Sequence, residues 1–153
     1  QADIVIYSAG TQHSSIYPTY MSAGIAQAIT DNKSAYKVFM TNIGADYETP
    51  NYQASDYIIG AYRYLNMSDA RHYAMNDLFD VVLINQSQQK ANETYVVYDE
   101  AGFADVPVRR VLDTFESVEK LGKHDGAKVV QTIMDLYESA TSLGGAKWKL
   151  SSI

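Results

Sequence analysis

Ser8, Gly10, Thr11, His13, Ser14 and Ser15 crowd into one stretch, YSAGTQHSSIYPTYMSAGIAQAI (residues 7–29), between a run of apolar residues and a helical pattern. Hydroxyl groups donate hydrogen bonds, and a glycine lets the backbone itself come close to a ligand. A helix that starts just after such a turn directs its positive end toward the same place, which suits an anion such as phosphate. The same residue types are ordinary turn formers, so a plain connection stays open as a reading. Other chemistries fit less well. A nucleophile elbow needs a glycine two residues before its serine, whereas Ile6 and Tyr7 precede Ser8. His13, His72 and His124 have no short metal-ligand spacing, and no metal site is expected from them.

These residues need a scaffold to hold them. DIVIY (3–7), YKVFMTN (36–42) and DVVLIN (80–85) are short, nearly continuous apolar runs rich in β-branched residues, as in strands buried on both faces. Between them lie helical patterns: Met21, Ile25, Ala28 and Ile29 on one face, then Tyr57, Ile58, Ala61, Tyr62 and Leu65 on another, with Ser55 as N-cap. Alternation of strand and helix predicts a mainly parallel sheet in a three-layer, Rossmann-like α/β domain. A last helix is predicted from Asp125 as cap, through Val129, Val130, Ile133, Met134 and Tyr137, to Gly144-Gly145. That places the domain in residues 1–143 and leaves 144–153 as a flexible tail that frays unless Trp148 docks. VPVRRVLD (106–113) reads as an edge strand because Pro107 lacks the N–H of a central ladder. ETYVVY (93–98) has the β-branched content of a strand, yet Ser87 offers a cap for a helix running to Gly102. The chain opens on Gln1 with a strand pattern almost at once, which reads as a piece of a longer polypeptide.

Composition bounds the function. The chain has 153 residues, 46% of them hydrophobic, enough for one domain with its own core. With 12 Lys and Arg against 18 Asp and Glu, the formal charge of −6 argues against nucleic acid or an anionic membrane as partner. The lack of cysteine excludes disulfides, thiolate metal sites and cysteine nucleophiles, and it fits a cytoplasmic protein. No apolar run approaches the roughly 20 residues of a membrane span. MSDARHYAMNDL (67–78) mixes both charge signs and reads as a solvated helix face.

In an open parallel sheet, ligands bind outside the carboxyl ends of the strands, so the loops after Tyr7, Asn42 and Asn85 are expected to converge on one rim. Two of those loops carry a resemblance. Ser8-Ala9-Gly10-Thr11-Gln12-His13-Ser14-Ser15-Ile16-Tyr17-Pro18 followed by Ala23-Gly24-Ile25, and Asn42 followed by Tyr47-Glu48-Thr49-Pro50 and Tyr52-Gln53-Ala54-Ser55-Asp56, are in order and in spacing. Together they resemble the 2-phospho-L-lactate transferases and their relatives, the gluconeogenesis factors that bind uridine-diphosphate-N-acetylglucosamine (a CofD/YvcK-like superfamily), the second branch more closely. Asn85, Tyr98 before Gly102, and Lys123-His124-Asp125 are similar to further family positions, with Lys123 standing where the family has Arg. The resemblance covers the second half of the family pattern: the usual opening Gly-rich loop and acidic metal ligand have no counterpart.

The resemblance implies the C-terminal half of a larger fold, a helix over residues 87–100, and a nucleotide-diphosphate ligand. It implies ligand contacts from Gly10, Thr11, Ser14, Ser15, Asn42, Glu48, Thr49, Tyr52, Asn85, Tyr98 and Lys123, no cofactor in this piece, and Mg²⁺ in the full-length protein. Gly10 would admit the diphosphate to the backbone, while Lys123 would meet it as a point charge without arginine's fork. Ordinary roles stay open beside these. Asn42 could end its strand in a local turn, any one of 13 tyrosines could be a packing residue, and Asp56 most simply stabilises a helix start. No catalytic residue is named. Three functions remain: a UDP-sugar-binding module, the distal half of a transferase using a guanosine diphosphate donor with Mg²⁺, and an interaction domain with a degenerate site. A homo-oligomer, or contact with the missing N-terminal half, is the expected partner.

Overall fold

The computed structural model describes residues 2–67, 69–86 and 94–142. Strands β1 (Ile4–Tyr7), β2 (Tyr36–Met40), β3 (Val81–Asn85) and β4 (Arg109–Asp113) form one parallel sheet in the order β1-β2-β3-β4. The registers run Ile4 opposite Tyr36, Val38 opposite Val81, and Val81 opposite Arg109. All five residues of β3 are buried, as its unbroken apolar sequence requires of a strand with neighbours on both sides and cover on both faces.

Because successive strands are laid down in one direction, crossovers of one hand place their connections on one face. That face carries α1 (Tyr17–Tyr20), α2 (Ile25–Asp31), α3 (Ala54–Met67) and α4 (Met75–Leu78). Tyr57, Ile58, Ala61 and Leu65 of α3 are fully buried there, against a core that includes Phe39, Phe79, Val82 and Ile84. The other face carries α5 (Gly126–Ser142), whose Val129 and Ile133 pack in one core with Val38, Val81, Leu83 and Phe115. A sheet layer between these two helix layers is the three-layer α/β arrangement expected.

Local details differ from expectation. The stretch after β1 is not one helix but a π-helical turn (Gln12–Ile16), then α1 with Pro18 in its first turn, then a break at Gly24 (φ 79°) before α2. Its apolar face is accordingly Ile25, Ala26 and Ile29; Met21 lies outside any helix at 47% exposure, and Ala28 is exposed. Ser55 is not the cap of α3. The Gln53 N–H donates to Asp56 Oδ2 at 2.8 Å, closing the helix start, while Ser55 sits inside the helix with its N–H on Asp99 Oδ1 at 3.0 Å and its hydroxyl bonded to the same carboxylate. Asp125 does cap α5, its Oδ1 accepting from Ala127 and Lys128 N–H at 3.0 and 3.1 Å. Val130 and Met134 flank the buried stripe of α5 and are exposed.

β4 is the edge strand beyond β3, with Pro107 ahead of it rather than within it. The helix expected over 87–100 is contradicted from residue 94 onward. Residues 94–97 run extended beside the loop after β2, with Ala45 N–H on Thr94 C=O at 2.9 Å and Val96 N–H on Ile43 C=O at 2.8 Å. Tyr95, Val96 and Val97 are β-formers, and their intrinsic preference prevails here. Residues 87–93, and with them the Ser87 cap, lie outside the described residues, as does the tail from 143 to 153.

Candidate functional site

At the carboxyl ends of β1 and β2 the structure holds a cavity of about 410 Å³. Three chain segments wall it: Ala9, Gly10 and Thr11 after β1; Asn42 to Asp46 after β2; and Leu121 to His124 before α5. The side chains are mostly small, so backbone forms much of the lining. Asp46, Lys123 and His124 bring its ionisable groups.

The first two walls are fastened to each other. The Gly10 N–H donates to Asn42 Oδ1 at 3.0 Å, and Asn42 Nδ2 donates to the Gly10 C=O at 3.0 Å. Asn42 is buried, and its amide thus pairs with both polar groups of one distant residue, neither ending its own strand in a local turn nor projecting a free amide. Gln12, also buried, donates from Nε2 to the same Gly10 C=O at 2.7 Å. Further out, Glu48 Oε2 accepts from the His13 and Ser14 N–H groups at 2.9 and 3.1 Å. The Ser14 hydroxyl bond, helped by these amides, holds the Glu48 carboxyl below the usual carboxylate range. His13 Nε2 lies 3.1 Å from the Tyr52 hydroxyl.

The third wall folds back on itself. Ser117 N–H donates to Lys123 C=O at 2.8 Å, and Gly122 takes φ 72°, a conformation glycine adopts without strain. It abuts the second wall directly: a Cβ placed on Gly44 would stand 3.4 Å from the Gly122 carbonyl oxygen. His124 is drawn below its ordinary range by burial, against an opposing hydrogen bond to the Thr41 backbone.

Of the sequence-derived contacts, Gly10, Thr11, Asn42 and Lys123 meet at this cavity. Ser14, Ser15, Glu48, Thr49, Tyr52, Asn85 and Tyr98 do not line it. Ser15 is exposed, and Thr49 is buried with its hydroxyl 3.0 Å from that of Tyr57. Asn85 accepts the Phe115 N–H at 2.6 Å, directing the chain after β4. Tyr98 donates to Glu100 at 2.5 Å and accepts from Arg110 of β4 at 3.2 Å. The close approach at Gly10 is also of a different kind: a Cβ there would meet Ile16 side-chain carbons at 3.0 and 3.2 Å. Gly44, Asp46, Gly122 and His124 were missed as lining residues; a glycine in each flanking loop was the available signal. Among the described residues, no three His, Cys, Asp or Glu side chains converge as a metal cage.

The family model described as 2-phospho-L-lactate transferase CofD matches residues 1–132. The chain belongs to the CofD family. No curated protein matches it. Two crystal structures of protein BH3568 from Bacillus halodurans, one titled as a member of the UPF0052 family, share the fold at a TM-score of 0.72 and 21% identity. Each match covers 87% of this chain but 43% of the other, so this CofD-family chain spans less than half the length of those structures. Among the described residues no helix is long and apolar enough to cross a membrane.

Proposed function

We propose that the cavity binds the diphosphate portion of a nucleotide-diphosphate ligand of the UDP-sugar type. The observation that carries this reading is the cavity's place and lining together: at the carboxyl ends of two parallel strands, with Ala9, Gly10, Gly44, Ala45 and Gly122 leaving backbone accessible and Lys123 supplying the positive charge. Gly10 N–H is already taken by Asn42 and Ala45 N–H by the Thr94 C=O, which assigns those groups to fixing the loops and leaves Thr11, the Gly44 backbone and Lys123 to meet the ligand. The volume of about 410 Å³ suits a diphosphate with part of its sugar or nucleoside.

Thermal-shift and calorimetric titration with UDP-N-acetylglucosamine, GDP and inorganic pyrophosphate, with and without Mg²⁺, tests this. A UDP-sugar response that survives without Mg²⁺ is expected. The absence of any response from a folded sample overturns it and favours an interaction domain.

The description of the matching family model favours a second reading, the distal half of a phospholactate-type transferase. Mg²⁺ would there neutralise the diphosphate. The described residues offer Asp46 alone as a lining carboxylate, not a site that holds the ion by itself, and no step is derived through it. Product formation from a guanosine diphosphate donor would establish this reading over simple binding.

A further inference from the structure

We propose that Glu116, which does not line the cavity, is the positioning residue that sets the third wall against the second. Its Oε1 accepts from the Gly122 N–H at 2.5 Å and from the Tyr95 hydroxyl at 2.9 Å. Tyr95 is buried, and its backbone is bridged antiparallel to Gly44, between the Ala45–Thr94 and Ile43–Val96 hydrogen bonds. One carboxylate oxygen therefore joins the backbone of the third wall to the segment that backs the second. Glu116 is also bridged through its own backbone to His124, so the side chain and the main chain of one residue both constrain the Gly122–His124 turn.

Position matters here because the walls touch backbone to backbone. The Gly44 Cβ position lies 3.5 Å from the Gly122 Cα, leaving no side chain between them to absorb a displacement. Lys123 and His124 follow Gly122 directly, and a change at its N–H shifts both lining groups at once. One side-chain oxygen has two lone pairs and so accepts both donors, a capacity that the amide oxygen of glutamine shares.

The consequence for ligand rests on the preceding reading; the wall geometry does not. Amide hydrogen exchange on the whole chain tests the geometry without any ligand, in Glu116→Ala, Glu116→Gln and Tyr95→Phe. Glu116→Ala should speed exchange in residues 117–124 at least tenfold with the β2 and β3 amides unchanged. Glu116→Gln, which keeps an acceptor, should restore most of that protection, and Tyr95→Phe, which removes one donor, should show a smaller local rise. UDP-N-acetylglucosamine affinity should fall at least fivefold in Glu116→Ala. Unchanged exchange at Gly122 in Glu116→Ala, a loss spread evenly over the sheet in Tyr95→Phe, or failure of Glu116→Gln to rescue overturns the proposal. If the local exchange pattern is as expected but the parent binds no nucleotide, Glu116 keeps its positioning role and the ligand assignment falls.

Discussion

The two sides of the cavity are held by different means. On one side, loops that are 32 residues apart in sequence are locked together by a neutral amide, Asn42, which bonds both polar groups of Gly10. On the other, one short turn closes on itself around Gly122 and leans on a carboxylate, Glu116. The first side follows from where parallel strands end. The second depends on a single positive-φ residue and on a partner delivered by the chain after β4, and it carries His124, so it is the side that pH should move first.

The largest effect is expected at Asn42. Asn42→Ala strips the Gly10 N–H of its acceptor while the C=O keeps Gln12 as a donor, and leaving the N–H unsatisfied costs about 1–3 kcal/mol. A denaturant melt should show that loss, and nucleotide affinity should fall with it. A variant that keeps parental stability but loses the ligand would instead put the amide on the ligand.

Gly122→Ala should come next, at about 1–2 kcal/mol, from forcing a Cβ into the left-handed region. The nearest atoms to that Cβ are 3.7 Å away, so the cost is strain and not collision. Gly24→Ala supplies the matched control: its φ is 79°, nothing lies within 4 Å of its added Cβ, and it does not line the cavity. Both variants should melt lower, and only Gly122→Ala should bind more weakly. Equal loss of binding in both would erase the distinction between the walls.

The pH axis separates them more finely. His124 has a folded pKa pushed below its ordinary value of about 6.5, so the unfolded chain takes up protons first and stability falls as pH drops below about 6.5. Glu48 has a folded pKa below its ordinary value of about 4.3, so its contribution is complete above about 4.3 and is lost as pH falls through the folded value. Melting curves should therefore report the third wall as pH falls below about 6.5 and the first only in stronger acid. His124→Gln should flatten the upper range and Glu48→Gln the lower; the reverse assignment would break the comparison.

The smallest change in stability is expected at Lys123, which is exposed: Lys123→Ala should stay within about 0.5 kcal/mol of the parent. Its affinity for pyrophosphate should drop nonetheless, and the difference from the parent should shrink at high salt. Salt-independent loss would remove Lys123 from the role of point charge.

Much of the scaffold was legible. The short, nearly continuous apolar runs at 4–7, 36–40 and 81–85 form strands of a covered sheet as their pattern suggests, and Asp125 marks the start of α5 because its carboxylate accepts the first free N–H groups of that helix. Less of the site was. Thr11 and Lys123 line the cavity, whereas Glu48 and Tyr52, read as ligand contacts, are engaged with loop residues His13 and Ser14. Polar residues in a loop satisfy whichever donors lie nearest, and nearness across 34 or 35 residues of sequence is not encoded in spacing. The helix expected through 94–100 failed for the opposite reason: Tyr95, Val96 and Val97 already favoured an extended chain, and the loop after β2 offered them backbone partners.

What the sequence determined by itself is local or periodic: strand runs from short, nearly continuous apolar segments, helix starts from capping carboxylates, and, through two ordered loop motifs, the family. What only the tertiary structure decided is pairing at a distance: that Asn42 holds Gly10, that Gly44 faces Gly122, that Glu116 reaches both Tyr95 and Gly122. The reason is physical. A buried donor or acceptor must find a partner somewhere, and the chain states the need in its residue types while the packed sheet, by bringing three loops to one rim, selects which partner meets it.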